Sequence, residues 1–256
     1  MKWGRIETEA GIVTGVIADG MLHPRAGLGS DEAAGDPLPL ADARLLAPCQ
    51  PGKFIGLWNN FHAAAEKNGN TIPDHPLWFL KPDSSVTGHG SEVELPAAAG
   101  RCIFEGELGI VIGQTIRQGS EAEAEAAILG YTCVNDITSL DVLNADPAFP
   151  QWTRSKGFEG FGVLGPVIET DVDWRALTVK VLVGGRERQS YAASDMILSP
   201  AEIVSKLSHD VTFSPGDVIA CGTSLGARPI RAGQEIEVVI EGIGAVSVTT
   251  VAPSEA

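Results

Sequence analysis

Cys102-Ile-Phe-Glu-Gly-Glu-Leu-Gly-Ile-Val-Ile-Gly113 is the stretch on which the reading turns. Its apolar residues alternate imperfectly and stop at a glycine, the pattern of a buried strand. Two acids, Glu105 and Glu107, interrupt it two residues apart, and strand geometry sends both side chains to one face. Carboxylates so placed repel each other unless a cation lies between them. An all-oxygen pair suits a hard ion such as Mg²⁺, Mn²⁺ or Ca²⁺, with a third carboxylate and water completing the shell. Alone, Glu-x-Glu is also the pattern of an edge strand's solvated face.

Outward from this stretch, strand signals dominate. Phe54–Trp58 reads as a buried strand, and His-Ala-Ala-Ala-Glu-Lys-Asn behind it as a helix entered at Asn59 and Asn60 and halted at Gly69. Leu77–Leu80, Val93–Pro96, Thr178–Val183, Val218–Gly222 and the closing run from Glu235 add strands. Two further helices are expected. One starts at the Ser120 N-cap and stops at Gly130; the other has Ser199 as N-cap, Pro200 in the first turn and Glu202 at the capping-box position. Strands follow one another without regular crossover helices, which predicts an α+β, β-rich fold and excludes a doubly wound nucleotide fold. Residues 1–50 read as a small N-terminal strand region with a polar, glycine-rich loop from Arg25 to Pro39. Residues 51–256 read as the domain that carries the chemistry.

The 256 residues are 44% hydrophobic, with a formal net charge of −15, and the mean hydropathy is +0.09. That is enough apolar material for one large core. The charge opposes binding to nucleic acid or an anionic membrane, so a small anionic substrate needs a locally positive site. No window approaches the roughly 18 uncharged apolar residues of a membrane helix, and the start lacks a secretory layout, so a cytoplasmic home is expected. Cys49, Cys102, Cys133 and Cys221 are scattered singly, without the close pairing of a zinc or redox motif, and reduced, buried thiols are expected.

A third acid, Asp136, stands where the strand-like Gly-Tyr-Thr-Cys-Val gives way to a turn, a place that an Asx turn also explains. Lys156 lies within Gln151-Trp-Thr-Arg-Ser-Lys-Gly-Phe-Glu-Gly-Phe-Gly-Val-Leu-Gly-Pro166, among glycines and aromatics where a surface lysine is out of place. Together these residues resemble the fumarylacetoacetate hydrolase family. Its pattern is Glu-x-Glu-Leu-x-x-Val-Ile-Gly, then a strand ending in Asn-Asp, then Lys-x-Phe followed by Leu-Gly-Pro. Glu105–Gly113, Asn135-Asp136, Lys156-Gly-Phe158 and Leu164–Pro166 fill those places in order. Phe79–Ser85 and Pro215–Thr223 extend the match, which covers most of the chain from about Phe54 onward.

The resemblance implies a mixed β-rich roll that forms a homodimer, with Mg²⁺, Mn²⁺ or Ca²⁺ on Glu105, Glu107 and Asp136. It implies that Lys156, Gly222 and Thr223 hold the carboxylate and oxo groups of a small 2-oxo acid, with Lys81 nearby. Such an ion acts as a Lewis acid on the oxo oxygen and stabilises the enolate formed when a neighbouring bond breaks.

Two places depart from the family pattern. Hydrolytic members carry His-x-x-Glu on the helix after the first core strand; here His62 and Glu66 stand four apart, a spacing that still shares a helical face. After Asp136 many members continue Ser-Ala-Arg-Asp-x-x-Gln, whereas this chain has Thr138-Ser-Leu-Asp-Val-Leu143. Leu140 and Leu143 remove two polar contacts and point to a less polar substrate end or a different binding mode, unless Arg154 and Gln151 replace them. The first reading is a hydrolase cleaving a C–C bond in a 2,4-dioxo acid, with His62 and Glu66 activating water. Decarboxylation or tautomerisation of an unsaturated 2-oxo dioate, or sugar-acid dehydration, needs no such pair. A metal-binding β-rich protein without turnover is the third reading.

Overall fold

A computed structural model describes residues 1–41 and 43–253. The Gly106–Ile112 strand is buried at all seven positions, which accounts for its nearly unbroken apolar sequence. It lies between two antiparallel neighbours, Ile128–Asp136 and Val218–Ala220. The sheet grows from both sides of this centre. Beyond Val218–Ala220 come Phe54–Trp58, paired in parallel, and the edge strand Leu77–Lys81. Beyond Ile128–Asp136 comes Gly162–Glu169, and against it lies Lys2–Thr8 at the very start of the chain. The hairpin partner Gly11–Ala18 and the strands Met21–Pro24 and Leu38–Pro39 complete that side.

A second sheet runs in the order Arg186–Ala192, Thr178–Val183, Glu235–Ile240, Gly244–Val251, Ser91–Glu94. Its inward residues Val179, Val181, Val238 and Val246 share one core with Leu108, Ile110 and Ile112 of the central strand. The alternate position, Val111, belongs to a second core with Trp3, Val134 and Ile168, as a period of two requires. The expected mixed, β-rich architecture is therefore present. Residues 1–41 and 43–50 contribute strands that continue the main sheet and bury Trp3, Ile6 and Leu22.

The three expected helices are also present, with instructive differences at their ends. Pro200–Ser208 has Ser199 as its N-cap in a capping box with Glu202. Glu121–Ala127 has the same device at Ser120 and Glu123, but the chain turns extended at Ile128, so Gly130 lies inside a strand and stops nothing. His62–Asn68 ends at Gly69 in the left-handed region. Asn59, at its entry, has φ of 61°, a conformation that asparagine tolerates. The Cys102–Gly113 stretch is two strands, since Phe104 and Glu105 separate Cys102–Ile103 from Gly106–Ile112. Among the described residues no helix is long and apolar enough to cross a membrane.

Candidate metal and substrate site

Pairing register decides which side chains meet. Glu107 stands directly opposite Val134, and opposed residues of an antiparallel pair share a face. Two residues along, the Asp136 N–H donates to the Glu105 carbonyl at 2.9 Å. Alternation then brings three carboxylates to one face, and one oxygen from each lies within 4.8 Å of the others. Glu107 is 2% exposed and Asp136 0%, while the Glu105 side chain is 17% exposed.

The glycine between the two glutamates has its own reason. A Cβ on Gly106 would lie 2.2 Å from Val181 Cγ2, so only glycine lets the second sheet approach this closely. The Gly106 carbonyl accepts from the Tyr191 hydroxyl at 2.6 Å and from the Thr223 hydroxyl at 2.9 Å.

Two lysines answer the negative charge. Lys156, on the short helix Trp152–Lys156, reaches Glu105 Oε2 at 2.5 Å, Asp136 Oδ2 at 2.6 Å and Thr138 Oγ1 at 2.7 Å. Lys81 donates to Asp136 Oδ1 at 2.6 Å and to the carbonyls of Lys156 and Phe161. Glu107 pairs with neither ammonium; its hydrogen bond comes from the Gly222 N–H, at 2.8 Å. Burial, reinforced by the Asp136 charge, pushes the Glu107 carboxyl well above the usual carboxylate range. Burial also opposes the ionisation of Asp136, but the Lys156 and Lys81 ammoniums outweigh it and hold that carboxyl below its ordinary value. Lys81 is lowered, first by burial, whereas the surrounding carboxylates overcome burial and raise Lys156. Three carboxylates against two ammoniums leave a buried acid short of a cation. With oxygen donors throughout, this group fits a divalent hard ion.

The site opens into a cavity of about 250 Å³ whose walls include Glu105, Glu107, Lys156 and the turn from Thr223 to Ala227. Trp58, Phe79 and Trp152 supply an aromatic wall: Phe79 and Trp152 stack at 5.4 Å, and Trp58 and Trp152 lie 5.9 Å apart.

Residues 53–251 match the family model for the fumarylacetoacetate (FAA) hydrolase C-terminal domain. The chain belongs to the fumarylacetoacetate hydrolase family. Residues 1–48 match a second model, described as Rv2993c-like, N-terminal. Protein Rv2993c of Mycobacterium tuberculosis is 36% identical over 260 residues, covering 96% of this chain and 97% of that one. A 5-carboxymethyl-2-hydroxymuconate delta-isomerase from Mycobacterium smegmatis superposes with a TM-score of 0.89 at 35% identity, covering 100% of both chains. A maleylpyruvate hydrolase from Sphingobium sp. SYK-6, solved with manganese(II) and pyruvate, gives 0.80 at 27% identity, covering 99% of this chain and 100% of that one.

Within this family fold the expected residues separate into those that face the cavity and those that do not. Glu105, Glu107, Lys156 and Thr223 line it, and Asp136 sits behind Lys156. Gly222 is not part of its wall, and the Gly222 N–H donates to Glu107. Lys81 is 3% exposed with three hydrogen bonds inside the protein, so it orients Asp136 and makes no cavity wall. The His62–Asn68 helix turns Ala64 and Asn68 to the cavity, while His62 and Glu66 are exposed. No hydrogen bond joins His62 to Glu66 among the described residues. Arg154 is exposed, and the Gln151 amide donates to the Phe149 carbonyl. Neither lines the cavity.

Sequence reasoning passes over Thr138 and Gln189. The Thr138 hydroxyl lies 2.5 Å from Glu105 Oε2 and beside Lys156. Gln189 is 2% exposed. Its amide donates to Thr223 Oγ1 and the Ser224 carbonyl, and its oxygen accepts from Gly106 N–H. It thus ties the Glu105–Glu107 strand to the Thr223 turn. Its only sequence signal is being the uncharged polar residue that follows the charged run Arg186–Arg188.

Proposed function

We propose that the protein is a divalent-metal-dependent enzyme that shifts a proton at the carbon beside the oxo group of a small 2-oxo acid. The observation that carries this reading is the meeting of Glu105, Glu107 and Asp136 within 4.8 Å, beside a cavity that Lys156 and Thr223 also line. When bound there, Mg²⁺ or Mn²⁺ supplies a Lewis acid to the oxo oxygen, which acidifies the neighbouring carbon. The remaining roles belong to side chains of this chain. Lys81 and Lys156 keep Asp136 ionised. The Gly222 N–H fixes Glu107, and the Thr223–Ala227 turn, tied to the central strand by Gln189, orients the substrate. With the carboxylates engaged as ligands, Lys156 Nζ is the cavity group that would take the C3 proton as the free amine and return it as the ammonium. Residues 51–256 carry the chemistry, since every lining residue falls there, and a cytoplasmic homodimer is the form in which we place it.

Proton transfer is favoured over water addition by the His62–Asn68 helix, which offers the cavity an alanine and an asparagine where hydrolysis needs an activating base. Likeness to an isomerase at 35% identity over the whole chain supports the same choice. Hydrolysis of a 2,4-dioxo acid with His62 and Glu66 is the second reading, favoured by the likeness to maleylpyruvate hydrolase. Deuterium uptake at C3 of 2-oxobutyrate, followed by proton NMR with Mg²⁺, separates the two. Metal-dependent uptake is expected, lost about a hundredfold in Glu107→Ala and retained within about threefold in His62→Ala/Glu66→Ala. Cleavage of acylpyruvates that the double variant abolishes, without C3 exchange, would transfer the assignment to hydrolysis.

A further inference from the structure

We infer that the substrate's end remote from the 2-oxo acid is neutral and apolar, not a second carboxylate. This deepens the 2-oxo acid reading and rests on it. Trp58 and Trp152 face the cavity, with Phe79 stacked on Trp152. Trp58 stays 42% exposed, and a large aromatic left open on a cavity wall is the mark of a binding surface. The faces of these rings carry negative quadrupole charge and attract apolar or cationic groups, not anions.

A distal carboxylate finds no free cationic partner in the same space. Lys156 is the one cationic side chain on the wall among the described residues. Its ammonium is already bonded to Glu105, Asp136 and Thr138, 5.0 Å from the Phe79 ring. The other polar side chains of the wall, Asn59, Asn68, Asn70, Thr223 and Ser224, are neutral, and Asn59 and Asn70 each give one N–H to a protein oxygen, the Thr71 carbonyl and Asn59 Oδ1. A second carboxylate would leave water without a charged partner, in a chain of net charge −15, and burying a charge unpaired is costly. An alkyl or aryl tail exchanges water for the ring faces and for Leu57 and Leu225 beside them.

Calorimetric titration of the Mg²⁺-loaded full chain with pyruvate, 2-oxopentanoate and 2-oxoglutarate tests this. Pyruvate is expected to bind only when Mg²⁺ is present. 2-Oxopentanoate is expected to bind about tenfold or more tighter than 2-oxoglutarate, the scale on which an apolar pocket discriminates. Trp152→Ala should narrow that ratio to about threefold or less, and Trp58→Ala serves the same purpose if Trp152→Ala fails to fold. Metal-dependent pyruvate binding together with equal or tighter binding of 2-oxoglutarate would overturn the inference and leave the 2-oxo acid reading standing. A preference untouched by either tryptophan variant would overturn the aromatic wall as its cause. Absence of metal-dependent pyruvate binding would overturn the reading beneath it.

Discussion

Gly106 joins the two functions of the central strand, since its backbone serves the site and its missing side chain serves the packing of the second sheet. A methyl group there would press on Val181 Cγ2. Overpacking of this kind costs about 1–3 kcal/mol, so Gly106→Ala should lower the unfolding free energy obtained from urea titration by that amount. Adding Val181→Ala should restore part of it, because the obstructing methyl is gone; no recovery would place the damage elsewhere. Residue identity shows Glu105, Glu107, Asp136 and Lys156 as candidates from sequence, because strand period and an out-of-place lysine are local signals. Lys81 and Gly222 are harder to assign from sequence. Whether an ammonium or an N–H points to substrate or is consumed by a neighbouring carboxylate depends on contacts between segments far apart in the chain.

Helix N-caps are the most legible elements, for the same reason of locality. Ser199 and Glu202 bond each other's backbone N–H groups within one turn, and four residues of sequence suffice to see it. Hydrogen bonds from the Ser199 side chain and backbone hold the Glu202 carboxyl below its ordinary value of 4.5. A carboxyl with a depressed folded-state value adds stability above its unfolded value and loses it as the pH falls through the folded one. Glu202→Gln should therefore be less stable than the native chain at pH 7, with the gap closing below about pH 4.5. Thermal melts across pH 3–7 measure it, and a gap that widens in acid would contradict the cap. The rotation of the His62–Asn68 helix was not legible. Seven residues with three alanines form no strong apolar stripe, so sequence cannot say that Ala64 and Asn68, not His62 and Glu66, face the cavity. Gln189 was hidden likewise, on a strand whose other side chains are mostly exposed.

At the scale of the whole molecule the sequence shows strand-rich segments but not their partners. Lys2 pairs with Glu169 and Trp3 with Ile168, so the strands Lys2–Thr8, Gly11–Ala18, Met21–Pro24 and Leu38–Pro39 belong to the main sheet in space although residues 1–50 read as a separate region in sequence. Removing residues 1–50 would uncover the edge of Gly162–Glu169 and the core around Val111, Val134 and Leu164. A chain of residues 51–256 is expected to aggregate, as exposed sheet edges do. A soluble, monodisperse sample in size-exclusion chromatography would show that the region is dispensable. The central claim is that the fold gathers Glu105, Glu107 and Asp136 around a divalent ion, and Mn²⁺ titration of the metal-free chain, read by electron paramagnetic resonance, tests it most directly. One ion per chain is predicted, with affinity reduced about a hundredfold in Glu107→Gln and unchanged in His62→Ala; equal Mn²⁺ binding by the native chain and Glu107→Gln would contradict it.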